Sequence, residues 1–134
     1  MVTSKLNAFA FPKKHRLNTP SEFSRVFSKP KKLYAKGLTV LYIENGLTYA
    51  RLGMAVAKKH AKRAVLRNKV RRLIRESFRG HAIHLAGFDV VILANRLIKS
   101  DELGAWFEEL PNKWQLIAKQ RKSQSQSLSA INML

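Results

Sequence analysis

The sequence predicts an α+β domain: a small mixed sheet of about four strands with three helices, in the order α-β-β-β-α-β-α. A complete helix-capping signal opens the first helix, an Asn-Gly pair separates two β-rich runs, and residues 49–94 pass from strand to helix to strand. The last pattern is a crossover unit, so its second strand can pair in parallel with an earlier one, and general rules favour a right-handed connection. A chain of 134 residues is long enough for one domain with one modest core.

The first helix has a clear beginning and end. Thr19–Glu22 supplies an N-cap threonine, a proline at the first helical position and the glutamate of a capping box. The helix should run to about Ser28, because Pro30 disfavours helical geometry in the residue before it. Phe23 and Phe27 are four residues apart and therefore share one face. From the residues alone, they are most simply two core side chains that anchor a short helix.

Four runs of residues predict the strands. They are a short edge strand at 31–34, a β-branched and aromatic strand at 38–44, a return strand at about 49–58, and a compact apolar strand at 89–94. The Asn-Gly pair predicts a hairpin between the second and third strands. Tyr42 is an ordinary half-buried strand residue by this pattern.

The last helix should begin at a Ser100 cap and keep a helical apolar period to about Lys119, with a kink or break at Pro111. A Phe-Ala-Phe-Pro segment at 9–12 is expected to lie as a strap over the core. We divide the chain into three parts: a basic N-terminal arm at 1–17, a single domain at 18–119, and a flexible tail at 120–134.

The charge of the chain identifies its class of partner. It carries 26 Lys and Arg against eight Asp and Glu, a net charge of +18. Such an excess favours polyanions, with nucleic acid the leading candidate and an anionic membrane surface second. The chain has no cysteine, no apolar run long enough to span a bilayer and no secretory pattern at its N-terminus. We therefore expect a cytoplasmic protein that does not enter a membrane.

The segment Lys58–Arg79 holds ten of these basic residues and one acid, Glu76. It should form a helix from Ala61 to Arg79, with Gly80 as its C-cap. One arc of this helix is apolar and consists of Leu66, Val70, Leu73, Ile74 and Ser77, with Phe78 at its margin. The opposite arc is cationic and contains Asn68, Arg71, Arg72, Arg75 and Arg79, with Arg63, Arg67 and Lys69 on its flanks.

The cationic arc has almost no acid to offset the repulsion between its charges. An external polyanion would relieve that repulsion, and a rigid row of guanidinium groups suits a phosphate backbone. A merely solvated basic face is the alternative interpretation.

The run Lys58-Lys59, followed by Arg67-Asn68-Lys69-Val70-Arg71-Arg72-Leu73-Ile74-Arg75-Glu76-Ser77-Phe78, resembles the "RNR" signature of the bacterial ribonuclease P protein subunit. The match covers about residues 9–120. Lys69 departs from the arginine that is frequent in the family, which preserves the charge but not the bidentate geometry. The resemblance implies the ribosomal protein S5 domain 2-like fold, with a left-handed β-α-β crossover.

The resemblance also implies the function of a non-catalytic protein subunit of ribonuclease P, the ribonucleoprotein that removes the 5′ leader from precursor tRNA. The RNA subunit would supply the catalytic centre and use Mg²⁺, and one protein monomer would bind each RNA. The implied contacts with the catalytic RNA and nearby substrate backbone are Lys58, Lys59, Lys62, Arg63, Arg67, Asn68, Lys69, Arg71, Arg72 and Arg75. The implied contacts with the single-stranded leader, in a cleft between the first helix and the sheet, are Phe23, Phe27 and Tyr42.

The residues do not predict a catalytic site within the protein itself. The only close set of acids, at 101–109, belongs to a helix whose apolar stripe explains it, and the four histidines lack metal-ligand spacing. Two other functions remain open from the residues alone. A ribosomal or other structural RNA-binding protein would share the charge but need no aromatic cleft. A cationic membrane-surface protein would turn its apolar arc towards lipid.

Overall fold

The computed structural model describes residues 13–133 of the chain, and the side chains of residues 14–120. It confirms the α+β class, with three helices and a four-stranded mixed sheet in the predicted order. The helices are α1 (Pro20–Ser28), α2 (Ala64–His81) and α3 (Leu103–Met133). The strands are β1 (Lys31–Ala35), β2 (Leu38–Glu44), β3 (Arg51–Ala55) and β4 (Phe88–Ala94).

The sheet order is β1-β2-β4-β3, and this order corrects the predicted hairpin. β2 pairs with β4 in antiparallel fashion and β3 pairs with β4 in parallel, so β4 lies between the two strands that flank the Asn-Gly pair. The inner position suits β4 because it is apolar on both faces. Asn45 is instead a buried anchor, and its amide donates to Asp89 Oδ1 at 2.9 Å. The parallel pairing confirms the crossover unit, and its handedness stays a prediction.

The tight hairpin of the sheet joins β1 to β2. Ala35 pairs with Leu38, which leaves a two-residue connection at Lys36 and Gly37. Gly37 has a φ of +76°, in the left-handed region that glycine adopts without a steric penalty. The sequence predicted a hairpin turn with a positive φ after β2. The structure has a hairpin turn of this kind before β2, at Gly37.

The two faces of the sheet are covered very differently. We call the face under α2 and α3 the closed face, because it carries the larger core. The helices contribute to this core Val70, Ile74, Phe78, Trp106, Leu110, Trp114 and Ile117. Phe78, at the margin of the apolar arc of α2, is also completely buried.

We call the opposite face the open face, because of the three helices α1–α3 it is the short helix α1 that packs against it. Its buried apolar cluster consists of Leu17, Val26, Leu41 and Val91. Leu17 donates its backbone N–H to the carbonyl of Leu52 at 3.0 Å, which attaches the segment before α1 to β3. α1 itself has the predicted bounds and the predicted capping box.

Two helix ends differ from the predictions. α2 begins at Ala64 and passes through Gly80 to His81, since a 3-10 turn at 82–85 continues it without any positive φ. α3 begins at Leu103 after a 3-10 turn, so Ser100 is not its cap. It continues across Pro111 to Met133 and does not end near Lys119. Burial of residues on both sides of Pro111 holds this helix in place, although a proline removes one backbone hydrogen bond. The predicted strap at 9–12 lies outside the described residues.

Candidate nucleic-acid interface

The cationic arc of α2 faces away from the core and is open to solvent. Its apolar arc is buried on the closed face of the sheet, which leaves Asn68, Lys69, Arg71 and Arg72 exposed along the opposite side. Lys58, Lys59, Lys62 and Arg63 are also exposed, in the segment that leads from β3 into α2. Eight of the ten predicted RNA-binding residues are therefore exposed on α2 and the segment before it, and the other two, Arg67 and Arg75, are half-buried.

Carboxylates neutralise very little of this surface. Among the side chains of residues 14–120, the ion pair on the cationic arc is Arg72 with Glu76, at 3.1 Å on the exposed surface. Exposed pairs of this kind contribute about 0.3–0.5 kcal/mol and are easily broken. Arg67 is only half exposed, and its guanidinium donates to the carbonyls of Ala61 and Lys62 at 3.0 Å each. Arg67 therefore also fixes the turn before the helix.

The beginning of α2 adds to the positive potential. Arg63 is the N-cap residue but makes no side-chain capping bond, and the first turn contains no acid. The first N–H groups of a helix carry a partial positive charge and bind phosphate readily. The uncapped end of α2 thus lies among lysine and arginine side chains, where an anion would be stabilised.

A groove on the open face holds two exposed aromatic residues. It encloses about 480 Å³ between the last turn of α1 and the edge strand β1. We call it the aromatic groove. Its lining residues are Phe27, Ser28, Pro30, Lys32, Tyr34, Thr39, Leu41 and Leu93. Phe27 is 45% exposed and Tyr34 is 62% exposed, so neither ring is buried in the core.

Phe23 and Phe27 have different environments although they share one face of α1. The ring of Phe23 packs against the backbone of Gly53, where an added Cβ would lie only 2.6 Å from Phe23 Cε1. Phe23 is therefore mainly an anchor that seats α1 on β3, whereas Phe27 faces the aromatic groove. The sequence did not distinguish the two rings, whereas in the structure Phe23 packs against the protein and Phe27 is open to solvent.

Tyr42 lies on the closed face, and not in the aromatic groove with Phe27. Strand alternation places it beside Val90, and its ring meets that of Phe88 edge-to-face at 6.0 Å. The residue is 4% exposed, and burial raises the pKa of its phenol. It reaches solvent only at a separate hollow of about 270 Å³, next to Lys29 and Lys31.

A network of charged groups fixes α1 relative to the sheet. Arg51 on β3 donates to Glu22 in the capping box and to Asp89 on β4, with an Nη2–Oδ2 distance of 2.7 Å to the latter. Glu22 Oε1 also accepts the backbone N–H groups of Asn18 and Thr19, at 2.9 Å each. These hydrogen bonds, led by the one from Asn18, lower the pKa of the Glu22 carboxyl.

The described residues show no metal-binding group and no membrane-spanning helix. Between residues 13 and 133, no three His, Asp or Glu side chains lie close enough to hold a metal ion. No helix in that range is long and apolar enough to cross a membrane. The apolar arc of α2 is buried in the protein, which contradicts the membrane-surface alternative.

Tyr34 is the groove residue that sequence reasoning missed. Its signal was the Lys-Gly pair at 36–37, because a two-residue turn there fixes the register of β1. In that register Lys32 lies opposite Leu41, and Tyr34 lies opposite Thr39. Residues opposite each other in a sheet project from the same face, so Tyr34 faces the aromatic groove.

The fold, the basic arc and the aromatic groove define a small α+β protein of the nucleic-acid-binding class. A family model for Ribonuclease P matches residues 11–120. The ribonuclease P protein component of Nitrosococcus oceani is 43% identical over 102 residues, covering 73% of this chain and 86% of its own. That of Pectobacterium atrosepticum is 41% identical over 105 residues, covering 78% and 88%. The chain belongs to the ribonuclease P protein family, whose members are protein components of a tRNA-processing ribonucleoprotein.

Solved structures agree with this family. The ribonuclease P protein of Staphylococcus aureus, in a mutant with defective mRNA degradation activity, matches with a TM-score of 0.64 and 25% identity, over 91% of this chain and 98% of that one. The ribonuclease P protein of Thermotoga maritima matches with a TM-score of 0.57 and 28% identity, over 78% and 96%. These matches support the α+β fold of the family.

Proposed function

We propose that this chain is the non-catalytic RNA-binding subunit of ribonuclease P and assists removal of the 5′ leader from precursor tRNA. The observation that supports this most strongly is the exposed cationic arc of α2, where the ion pair found among the side chains of residues 14–120 is that of Arg72 with Glu76. In this proposal the RNA subunit supplies the catalytic centre and uses Mg²⁺. One protein monomer binds each RNA, in the cytoplasm.

The basic arc would neutralise phosphates where the catalytic RNA and the substrate backbone approach each other. RNA–RNA repulsion is greatest at low ionic strength, so the protein should matter most when Mg²⁺ is scarce. Adding the purified chain to a bacterial ribonuclease P RNA at low Mg²⁺ should therefore stimulate leader removal. An absence of stimulation across a range of Mg²⁺ concentrations would count against the proposal.

Arg71→Ala tests the contact between α2 and RNA. Arg71 is exposed on the cationic arc, so its loss should lower affinity for the catalytic RNA and reduce the salt slope of log K by about one if one phosphate contact is lost. Lys36→Ala is the control, because it removes an exposed cation at the distant β1–β2 turn. Filter binding over a range of KCl concentrations measures the salt slope of each variant. If Arg71→Ala and Lys36→Ala change the slope equally, the net charge of the protein, and not a specific contact of α2, explains the effect.

The aromatic groove would hold the single-stranded leader. Exposed rings stack on bases without selecting a sequence, which suits leaders of varied sequence, and each stacked base contributes about 1–3 kcal/mol. Of the three aromatic residues assigned to the leader, Phe27 is the one whose ring is open in the aromatic groove. The assignments of Phe23 and Tyr42 stay predictions, and Tyr42 would require RNA to reach the hollow beside Lys29.

Phe27→Ala tests the groove directly. It should weaken binding of a long-leader precursor about tenfold in the reconstituted holoenzyme and leave binding of mature tRNA unchanged. Phe107→Ala is the matched control, because it removes a 70% exposed ring from α3, away from the groove. Equal losses for precursor and mature tRNA would show that the Phe27 ring serves the protein and not the leader.

A further inference from the structure

We propose that Tyr34, with Lys32 beside it, forms a second stacking site for single-stranded RNA on the edge strand β1. The inference deepens the proposed leader site and rests on it. Tyr34 would stack on one base while Lys32 binds the adjacent phosphate. The aromatic groove would then hold at least two successive leader bases, one against Phe27 and one against Tyr34.

The register of the sheet places these groups on one surface. Tyr34 pairs with Thr39 and Lys32 pairs with Leu41, so both side chains project from the open face towards the groove. Residues two apart on a strand are roughly 6.6–6.8 Å apart along its axis. A nucleotide whose base covers the Tyr34 ring therefore has a phosphate within reach of the Lys32 ammonium.

The ring of Tyr34 lies at the surface of the protein and does not belong to its core. Its ring is 62% exposed at the edge of the sheet, whereas Leu33, its neighbour in sequence, packs against the core of the closed face. Tyr34 and Phe27 lie on opposite walls of the groove, on β1 and α1, with Leu41 and Leu93 between them. Two separated rings over an apolar floor form a platform for consecutive bases.

The charge of the groove favours RNA over an acid-binding or peptide-binding role. Of its lining residues with described side chains, Lys32 is charged and none is a carboxylate. The opposite side of the same strand carries Lys31, which lines the hollow beneath Tyr42. β1 therefore presents one ammonium group to each face: the rings beside Lys31, those of Tyr42 and Phe88, are buried, whereas Lys32 lies beside the exposed rings of Phe27 and Tyr34.

The ring of Tyr34 is tested by Tyr34→Thr, which keeps a β-branched residue on the strand, and by Tyr34→Phe, which keeps the ring. In the reconstituted holoenzyme, Tyr34→Thr should weaken binding of a long-leader precursor at least about fivefold, with mature tRNA unchanged and Tyr34→Phe close to wild type. An effect of Tyr34→Thr that is equal on both RNAs, or absent, would overturn the inference. Phe107→Ala again reports the loss of an exposed ring elsewhere.

Single abasic nucleotides in the leader sharpen the test. The Tyr34→Thr penalty should disappear when one particular leader position is abasic, and the Phe27→Ala penalty should disappear at a neighbouring position. If Phe27→Ala is selective for the leader and Tyr34→Thr is not, the second site fails while the proposed function stands. If neither variant distinguishes precursor from mature tRNA, the aromatic groove itself fails as the leader site.

The lysines supply the matched test of charge. Lys32→Gln should weaken binding of the long-leader precursor more than Lys31→Gln does, because the two ammonium groups lie on opposite faces of the same strand. Equal losses from the two variants would assign the effect to overall charge and would remove Lys32 from the stacking site.

Discussion

The two faces of the sheet show how one small domain separates stability from binding. The closed face is covered by α2 and α3, and its core includes two fully buried tryptophans. The open face is covered by a nine-residue helix, and only four residues form its buried apolar cluster. Among residues 14–120, α1 leaves the aromatic groove accessible beside it, while the closed face supports α2 so that its basic arc points outward. The proposed contact of α2 with RNA therefore depends on the heavily buried closed face. The proposed contact of the aromatic groove with RNA depends on the lighter cover of the open face.

The largest expected effect lies on the closed face. Trp114 is 1% exposed, its ring meets Phe78 edge-to-face at 5.8 Å, and its indole N–H donates to Ser77 Oγ at 2.9 Å. Trp114→Ala should lower the free energy of unfolding by about 3–5 kcal/mol, because it leaves a cavity and an unsatisfied hydroxyl. Urea unfolding followed by circular dichroism measures the change.

Phe107→Ala is the control for this prediction, because it removes an exposed ring from the same helix and should change the free energy of unfolding by no more than about 0.5 kcal/mol. A loss below about 1 kcal/mol for Trp114→Ala would mean that the closed face relaxes around the missing ring. The contrast between the two faces would then be weaker than their burial indicates.

A smaller effect is expected at the boundary between α1 and the open face. Gly53→Ala would place a Cβ 2.6 Å from the Phe23 ring and 3.0 Å from Leu17 Cδ1, so the Phe23 ring that seats α1 must move. We expect an overpacking cost of about 1–3 kcal/mol, together with weaker discrimination between long-leader precursor and mature tRNA, because α1 carries Phe27. Urea unfolding and equilibrium binding to the two RNAs measure these effects.

Two further variants separate overpacking from a general effect of the substitution. Gly104→Ala has open space around its new methyl group and should be neutral or stabilising. Adding Phe23→Leu to Gly53→Ala should recover stability, because the smaller side chain makes room for the methyl group. If the double variant is less stable than Gly53→Ala alone, Phe23 does not pack as the structure shows.

The sequence predicted local structure well where chemistry along the chain decides it. The capping box of α1 needs only Thr19, Pro20 and Glu22, and the structure reproduces it with the predicted bounds. The amphipathic pattern of α2 likewise placed its cationic arc outside and its apolar arc inside. These features depend on residues within a few positions of one another.

The errors arose where distant parts of the chain decide the outcome. The Asn-Gly pair predicted a hairpin, but β4, more than 40 residues later, takes the place beside β2. Gly80 looked like a C-cap because glycine is common there, but the chain continues into a 3-10 turn that needs no positive φ.

The smallest expected effect concerns the attachment of α1 at acid pH. The pKa of Glu22 is lowered from 4.5, chiefly by the hydrogen bond from the Asn18 backbone. A lowered pKa in the folded state stabilises the protein above the unfolded value, and this contribution is lost as the pH falls through the folded value. Glu22→Gln should therefore be less stable than wild type at pH 7 and should lose less stability between about pH 5 and about pH 3.

Glu102 also contributes to the loss of stability at acid pH, because the hydrogen bond from Arg96 lowers the pKa of its carboxyl. Part of the pH dependence therefore persists in Glu22→Gln, and the difference between wild type and variant is the quantity to measure, by urea unfolding at each pH. Glu108→Gln, which removes an exposed carboxylate on α3, is the control for the loss of one negative charge. If Glu22→Gln behaves like Glu108→Gln, the contacts of Val26 and Phe23 hold α1 without help from the charged network. The position of the aromatic groove would then depend on apolar packing alone.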